Sequence, residues 1–238
     1  YNPFPEEINR VLADQLSDLH FAPTETARQA LLREAIPPER IHVTGNTVID
    51  ALMVIVARPA NGLIPSHPAH KRLVLVTAHR RENFGQPFAN MLAALKQIAD
   101  RDDVHLIYPV HPNPNVRGPA HEVLGNHPHV TLLPPMDYLA FAHLMGRAHL
   151  ILTDSGGIQE EAPGLGVPVL VMRRVTERPE AVAAGTAKLV GTDTEVIVRE
   201  ASRLLDDPAA HEAMARAVNP FGDGHAAERI VKTLLSHV

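Results

Sequence analysis

The sequence predicts an α/β fold built on a doubly wound parallel sheet. Short apolar runs alternate with amphipathic helical patterns along nearly all of the 238 residues. The apolar runs are typical of buried parallel strands, and we find no internal repeat and no low-complexity segment. Strand and helix in regular alternation indicate a parallel sheet that is covered by helices on both faces.

The predicted elements follow one another in a simple order along the chain. Two strands and three helices come first, and six further strands with helices between them follow. The strands are expected at 19–22, 41–44, 73–77, 105–110, 130–133, 150–153, 167–172 and 187–190. The helices are expected at 5–17, 24–35, 46–57, 86–100, 114–124, 137–146, 156–165, 177–184, 193–206 and 208–236, the last with a break.

A proline-rich stretch divides this pattern into two parts. Residues 58–69 contain several breakers and no periodicity, so we expect them to form a linker. Residues 70–238 are expected to form a complete doubly wound domain, whose C-terminal helix returns toward the first domain. Residues 1–57 hold too few strands for an independent sheet and are interpreted as the C-terminal remnant of a second such domain. Because the chain starts at Tyr1 and enters a helix almost at once, we expect it to be truncated at the N-terminus.

Composition and charge exclude several classes of function. Aromatic residues make up 4% of the chain and Trp is absent, so stacking platforms for single-stranded nucleic acid are not expected. The formal net charge of -5, without a basic stripe, argues against nucleic-acid binding in general. There is no cysteine for a disulfide framework or a thiolate zinc site, and no apolar run of membrane-spanning length. We therefore expect a cytoplasmic protein with no nucleic-acid or membrane partner.

The most informative segment is the turn that follows the apolar run at 149–152. Residues 153–162 read TDSGGIQEEA, a polar turn with two glycines that opens a helix. The unpaired N–H groups of a helix N-terminus favour an anion, and Gly156 and Gly157 let a phosphate approach the backbone closely. The turn is thus a candidate diphosphate site, and Glu161 a candidate acceptor for sugar hydroxyls. The alternative is a capped helix start with nothing bound, and the turn alone does not decide between the two.

Charged side chains follow two neighbouring predicted strands. His79 and Arg80 come after the strand at 73–77, and His111 follows the strand at 105–110. In open parallel sheets ligands bind at the carboxyl ends of the strands, so these side chains could receive a phosphate or move a proton. A charged surface loop is the alternative, but the position of His79 at the strand end favours a function. No third ligand stands at metal-like spacing, so no metal is expected.

Two further residues have a structural and a functional interpretation. Phe141 shares a helix face with Leu144 and Met145, which indicates core packing, and the alternative is contact with a nucleotide base. Arg178 could hold a pyrophosphate through its bidentate guanidinium. Its neighbours are also typical of a helix start, and both interpretations of this segment stay open.

Seven segments, in order along essentially the whole chain, together resemble one family. They are PEEINR at 5–10, FAPTET at 21–26, TGNTVID at 44–50, AHRREN at 78–83, PVHPN at 109–113, TDSGGIQEEAP at 153–163 and TERPE at 176–180. Each segment alone is modest, but the set is highly specific and resembles the non-hydrolysing UDP-N-acetylglucosamine 2-epimerases. The resemblance implies a GT-B-like fold of two Rossmann-like domains, a UDP-sugar substrate, neither cofactor nor metal, and a homodimer.

The resemblance also implies a reaction and a role for each matching residue. Family members interconvert UDP-N-acetylglucosamine and UDP-N-acetylmannosamine by eliminating UDP to a glucal intermediate and adding it back. His79 and Glu6 would be catalytic. The implied substrate-binding residues are Arg80, His111, Phe141, Ser155, Gly156, Gly157, Glu161 and Arg178. Among these, residues 155–157 would bind the diphosphate, Glu161 the ribose and Arg178 a phosphate, and Phe141 would lie by the uracil.

One departure from the family pattern bears on activity. The first strand of the family, its Gly-Thr-Arg-Pro-Glu turn and further acidic residues have no counterpart in this chain. We therefore expect the chain alone to bind UDP with little or no epimerase activity. The alternatives are a GT-B glycosyltransferase, a hydrolysing relative, and a nucleotide-sugar-binding module without chemistry.

Overall fold

A computed structural model describes residues 4–60, 62 and 64–237 of the chain. Its contacts divide the chain into two compact units. Unit 1 contains the described residues up to Met53 together with those from Pro220 onward, and unit 2 runs from Val54 to Asn219. Both units carry parallel strands with helices, so the α/β class is confirmed.

The observed elements agree with the predicted ones to within two residues at each end. The strands are β1 His20–Ala22, β2 Ile41–Val43, β3 Arg72–Thr77, β4 Val104–Pro109, β5 Val130–Leu133, β6 Leu150–Thr153, β7 Val169–Val171 and β8 Ala187–Leu189. The helices are α1 Glu6–Leu16, α2 Glu25–Arg33, α3 Thr47–Val56, α4 Gln86–Ala99, α5 Pro114–Leu124, α6 Tyr138–Arg147, α7 Ile158–Gly164, α8 Pro179–Ala183, α9 Thr194–Asp206, α10 Pro208–Ala215 and α11 Ala226–Ser236. Two short 3₁₀ turns, Pro38–Arg40 and Arg81–Asn83, were not predicted.

Unit 1 is organised around a two-stranded parallel sheet. Strands β1 and β2 pair with His20 opposite Ile41, and Ala22, Ile36 and Ile41 form a small buried core. The N-terminus of α11 is held by Asp50, whose carboxylate accepts hydrogen bonds from the backbone N–H groups of Ala226 at 3.1 Å and Ala227 at 2.8 Å. A carboxylate at this position satisfies N–H groups that have no acceptor within the helix and complements the helix dipole.

Two backbone segments of unit 1 approach closely where the chain returns. Gly45 has a φ of +89°, and a Cβ added to it would lie 3.2 Å from the Cα of Gly222. The backbone N–H of Asn46 donates to the carbonyl of Phe221 at 2.6 Å. Glycine is required at position 45 because a side chain would be strained by the backbone conformation and would also contact the returning chain.

Unit 2 is a six-stranded parallel sheet with the strand order β5-β4-β3-β6-β7-β8. Val74 of β3 lies opposite Leu106 of β4 on one side and Leu150 of β6 on the other. The strand order reverses between β3 and β6. Ligands in doubly wound sheets bind outside the carboxyl ends of the strands at such a switch point.

The main core of unit 2 lies beneath α4 and α9. Buried residues of α4 recur three or four positions apart, as an amphipathic helix requires. They are Phe88, Met91, Leu92, Ala94, Leu95, Ile98 and Ala99. These side chains form one buried cluster with Val74 of β3, Leu106 of β4 and Leu204 of α9. The cluster packs α4 and α9 against the sheet.

Residues 58–69, which the sequence predicts to be a linker, contain neither helix nor strand among their described members. In the described part of the chain, no helix combines the length and the apolar character that crossing a membrane requires.

Replacing Asp50 with Ala is expected to loosen α11, because the first N–H groups of the helix lose their acceptor. We expect a loss of about 1–2 kcal/mol of helix stability. Amide hydrogen exchange should accelerate in α11 and remain unchanged in α4. Asp18→Ala, at an exposed position between α1 and β1, is the control and should change neither. Unchanged protection of α11 in Asp50→Ala would contradict the assigned cap.

Candidate functional site

The structure brings the loop after β3 and the turn after β6 together at the switch point of the sheet. Thr77 and Thr153, the last residues of these strands, lie opposite each other, and their Oγ1 atoms are 2.6 Å apart. His79 and Arg80 follow the first strand, and the turn at 154–157 follows the second. The proximity of these segments is therefore a direct result of the strand order.

The carboxylate of Asp154 joins the loop to the turn. Its side chain is fully buried and accepts hydrogen bonds from the backbone N–H groups of His79 at 2.9 Å and Arg80 at 2.8 Å. The side-chain amide of Asn83 donates to the same oxygen at 3.2 Å. All three partners are hydrogen-bond donors. The position therefore requires a group that only accepts hydrogen bonds, as an ionised carboxylate does. Asp154 thus fixes the backbone at the two residues that carry the candidate charged side chains.

The shape of the turn is set by contacts with neighbouring side chains. The backbone N–H of Ser155 donates to Thr153 Oγ1 at 2.9 Å. The fully buried Gln159 donates to the carbonyl of Ser155 at 3.0 Å and accepts from Thr176 Oγ1 at 2.5 Å. Gly157 is the N-cap residue directly before α7, and the first N–H groups of a helix have no acceptor within it. The turn is therefore held in a defined conformation.

Arg80 places a positive charge beside the turn. A Cβ added to the buried Gly156 would lie 3.4 Å from Nη2 of Arg80, so the guanidinium lies directly against this glycine. A guanidinium next to backbone N–H groups is an arrangement that suits a phosphate. The next residue, Gly157, is exposed, so the backbone of the turn can be approached there.

His79 and His111 form a stacked pair. Their ring centroids are 5.4 Å apart with an interplanar angle of 14°, and Nδ1 of His79 lies 3.6 Å from Oδ1 of Asp154. Burial lowers the pKa of His79, the Asp154 carboxylate opposes this shift, and His111 and Arg80 add to it. A neutral imidazole that is partly exposed can accept a proton near neutral pH.

Glu161 and Tyr138 form a hydrogen bond beside the turn. The hydroxyl of Tyr138, the first residue of α6, donates to Oε2 of Glu161 at 2.5 Å. Burial raises the pKa of Glu161, while the hydrogen bond from Tyr138 lowers it. Phe141 is half-buried and lies three residues after Tyr138, so the two aromatic residues share a helix face. The contact of Phe141 with a base stays a prediction.

Arg178 is engaged with protein groups. Its Nε forms an ion pair with the carboxylate of Glu160, and its Nη1 donates to the carbonyl of Glu177 at 3.1 Å. Its backbone N–H donates to Thr176 Oγ1 at 3.0 Å, immediately before Pro179 begins α8. The helix-start interpretation of this segment is therefore confirmed, and the contact of Arg178 with a phosphate stays a prediction.

Arg173 is a buried cation that sequence reasoning missed. Its side chain is 2% exposed; its Nε donates to Glu82 at 2.7 Å, and its two terminal nitrogens bind Glu177 at 2.7 and 2.8 Å. The Arg173 guanidinium lowers the pKa of Glu177 to about 2. Because Glu82 belongs to the loop after β3, Arg173 secures that loop at a second point.

Glu6 lies in unit 1. It is an exposed residue in the first turn of α1, where the helix dipole favours a carboxylate. Its neighbour Glu7 binds Arg10 at 2.7 Å, and Arg10 also binds Glu34 at 2.7 Å. The catalytic role of Glu6 stays a prediction.

A hollow of about 340 Å³ lies in unit 2 beside the ends of β4 and β5. It is lined by Val110, Pro112, Arg117, His121, Leu132, Leu133, Pro134 and Pro135, none of which is a predicted site residue. Among the described residues, no group of three or more His, Asp or Glu side chains is placed to hold a metal ion.

Comparison with known proteins identifies the family. The sequence model described as UDP-N-acetylglucosamine 2-epimerase matches residues 1–235. The chain belongs to the UDP-N-acetylglucosamine 2-epimerase family. A curated member from Salmonella typhimurium is 53% identical over 247 aligned residues, which cover 100% of this chain and 66% of that protein. The chain thus spans about two thirds of the length of the curated relatives it matches.

Two solved structures of family members superpose closely on the chain. UDP-GlcNAc 2-epimerase from Neisseria meningitidis bound to UDP-GlcNAc is 46% identical with a TM-score of 0.88, covering 99% of this chain and 66% of that one. The S. aureus MnaA-UDP co-structure is 45% identical with a TM-score of 0.89, covering 100% of this chain and 66% of that one. The GT-B-like fold class predicted from the sequence is confirmed by this similarity.

Asn at position 154 is expected to disturb the site strongly, because an amide N–H₂ would face backbone donors. Asp154→Asn should cost about 1–3 kcal/mol of unfolding free energy, as for a buried group left without its partner. It should also lower the pKa of His79 further, since the carboxylate that opposes the burial effect is gone. Denaturant unfolding and an NMR titration of the His79 ring measure the two effects. An unchanged His79 titration in a folded variant would contradict the assigned contact.

Proposed function

We propose that this chain binds UDP-N-acetylglucosamine and takes part in its interconversion with UDP-N-acetylmannosamine. The observation that carries the proposal is the arrangement at the switch point of the sheet. There, Asp154 anchors the loop of His79 and Arg80 against the turn at 155–157. The family member from Neisseria meningitidis, which shares this chain's fold, was solved bound to UDP-GlcNAc.

The nucleotide is proposed to lie across the turn after β6. The backbone of Ser155, Gly156 and Gly157 would hold the diphosphate, with Arg80 beside it. Glu161 would accept hydrogen bonds from the ribose, and Phe141 would contact the uracil. Arg178 would contact a phosphate while keeping its ion pair with Glu160, and His111 would contact the substrate beside His79.

The proposed reaction is an elimination followed by an addition. A base removes the proton from C2, the C1–O bond to UDP breaks, and a C1–C2 double bond forms in the resulting glucal. UDP leaves with the bonding electrons, so its charge must be stabilised, which is the role of Arg80 and the turn. A proton then returns to the other face of C2, and a UDP oxygen bonds to C1 again. Effective re-addition requires that both products stay bound in one place.

His79 and Glu6 are the proposed catalytic residues. The lowered pKa of His79 keeps its ring neutral near pH 7, so that it can contact the sugar or accept a proton. Glu6 is proposed from the resemblance of the PEEINR segment to a family carboxylate of proton transfer. The same family resemblance supports a homodimer as part of the proposal.

A nucleotide-sugar-binding module without turnover is the second candidate. The chain aligns with 66% of its curated relative, so an assay of these 238 residues tests them without the remaining third of that relative. The 238-residue polypeptide alone is therefore expected to bind UDP but to form little UDP-N-acetylmannosamine from UDP-N-acetylglucosamine. A coupled assay without any acceptor measures this. Robust turnover would contradict the expected inactivity and would at the same time support the epimerase assignment.

Gly156→Ala is expected to weaken UDP binding about ten-fold or more, because the new methyl group stands between the phosphate and the backbone and contacts the guanidinium of Arg80. Isothermal titration calorimetry with UDP measures the effect. Gly118→Ala in α5 is the matched control, since a Cβ there meets no atom of the described residues within 4 Å. Equal UDP affinity of the Gly156→Ala and Gly118→Ala variants would remove the turn from the proposed site.

A further inference from the structure

The contact between Tyr138 and Glu161 joins two helices at the proposed nucleotide site. Tyr138 is the first residue of α6, directly after Asp137, whose side chain accepts a hydrogen bond from the N–H of Ala140. Its hydroxyl donates to Oε2 of Glu161 in the first turn of α7 at 2.5 Å. Because the start of α6 is capped, the tyrosine extends from a fixed backbone.

The second oxygen of the carboxylate faces the glycine turn. A Cβ added to Gly157 would lie 3.5 Å from Oε1 of Glu161. The carboxylate therefore has Tyr138 on one side and the backbone of the turn on the other. A glutamate side chain has several rotatable bonds, and holding it in one rotamer removes an entropy cost from any ligand that binds it.

We propose that Tyr138 is a positioning residue that makes this site selective for ribonucleotides over deoxyribonucleotides. By holding Oε2, it directs the remaining acceptor sites of Glu161 toward the adjacent hydroxyl groups of a ribose. The inference rests on the proposed function, in which Glu161 binds the ribose of UDP.

The hydrogen-bonding capacities of the groups fit this role. An ionised carboxylate has about four acceptor sites, and the tyrosine hydroxyl occupies one of them. The others can accept from two ribose hydroxyls at once. A deoxyribose offers one donor fewer and leaves part of a half-buried carboxylate without a partner, which is the condition under which a site rejects an analogue strongly.

The electrostatics of the pair point in the same direction. Burial and the nearby Glu160 carboxylate raise the pKa of Glu161, while the hydrogen bond from Tyr138 lowers it. Glu160 is itself paired with Arg178. Burial and the Glu161 carboxylate raise the pKa of Tyr138, so its hydroxyl stays protonated and remains a donor. The tyrosine thus helps to keep Glu161 in its ionised, acceptor-only form.

The test compares UDP, 2′-deoxy-UDP and 3′-deoxy-UDP by titration calorimetry on the full chain and its variants. The unmodified chain is expected to prefer UDP over the deoxy analogues by about ten-fold or more. Tyr138→Phe, which removes only the hydroxyl, should weaken UDP binding several-fold and leave the affinity for the analogues nearly unchanged. The preference for ribose then largely disappears. In the ligand-free chain, the same variant should raise the pKa of Glu161, measured by carboxyl NMR.

Glu161→Gln and a control separate this inference from the proposed function. Glu161→Gln should weaken UDP binding, while Glu195→Gln, the same change in the exposed first turn of α9, should not. If Glu161→Gln weakens UDP binding but Tyr138→Phe leaves the ribose preference intact, the role of Tyr138 is overturned and the proposed function stands. If the unmodified chain does not bind UDP, the proposed function fails, and this inference fails with it.

Discussion

The organisation of the site depends on one buried carboxylate. Asp154 stands at the end of β6 with no exposed surface, and its partners come from a loop about 75 residues earlier in the chain. A buried carboxylate is costly unless hydrogen bonds compensate it, and here two backbone N–H groups and an amide do so. The loop after β3 must therefore adopt the one conformation that satisfies the charge.

The remaining features of the site follow from this constraint. The strand order places the ends of β3 and β6 side by side, and Asp154 then fixes the directions of His79 and Arg80. Arg173 secures the same loop through Glu82 and the segment before α8 through Glu177. Asp154, through backbone N–H groups, and Arg173, through Glu82, thus hold the loop at different points. Groups held in this way need little reorganisation when a charged ligand arrives, which is how a protein stabilises developing charge.

Much of the fold was predictable from the sequence because its signals are local. Continuous apolar runs predicted every strand. The general rule for parallel sheets predicted candidate residues after β3 and β4, and the glycine turn before a helix predicted those after β6. The contacts of Arg173 with Glu82 and of Tyr138 with Glu161 were not predictable in this way. These contacts join residues 91 and 23 positions apart, and no local pattern specifies which charged or polar side chain will meet which. Asp154 had a weak signal, since an acidic residue directly after a buried strand requires donors that it must find elsewhere.

Arg178 has one local role that the sequence predicts and one tertiary contact that it does not. Its segment carries the residues of a helix start, and the structure bears out that local role. Its side chain, however, pairs with Glu160 from α7, a contact that links the turn to the next strand's loop. Local chemistry predicted the backbone conformation, while the tertiary fold determined the partner of the guanidinium.

The central claim is that a diphosphate binds the backbone between Ser155 and Gly157 with Arg80 beside it. The most direct measurement is an amide NMR titration of the ¹⁵N-labelled chain with UDP. The claim predicts that the largest shifts occur at residues 155–158 and at the side chain of Arg80, with little change in α11 of unit 1. Shifts concentrated in the hollow beside β4 and β5, with the turn unaffected, would contradict it.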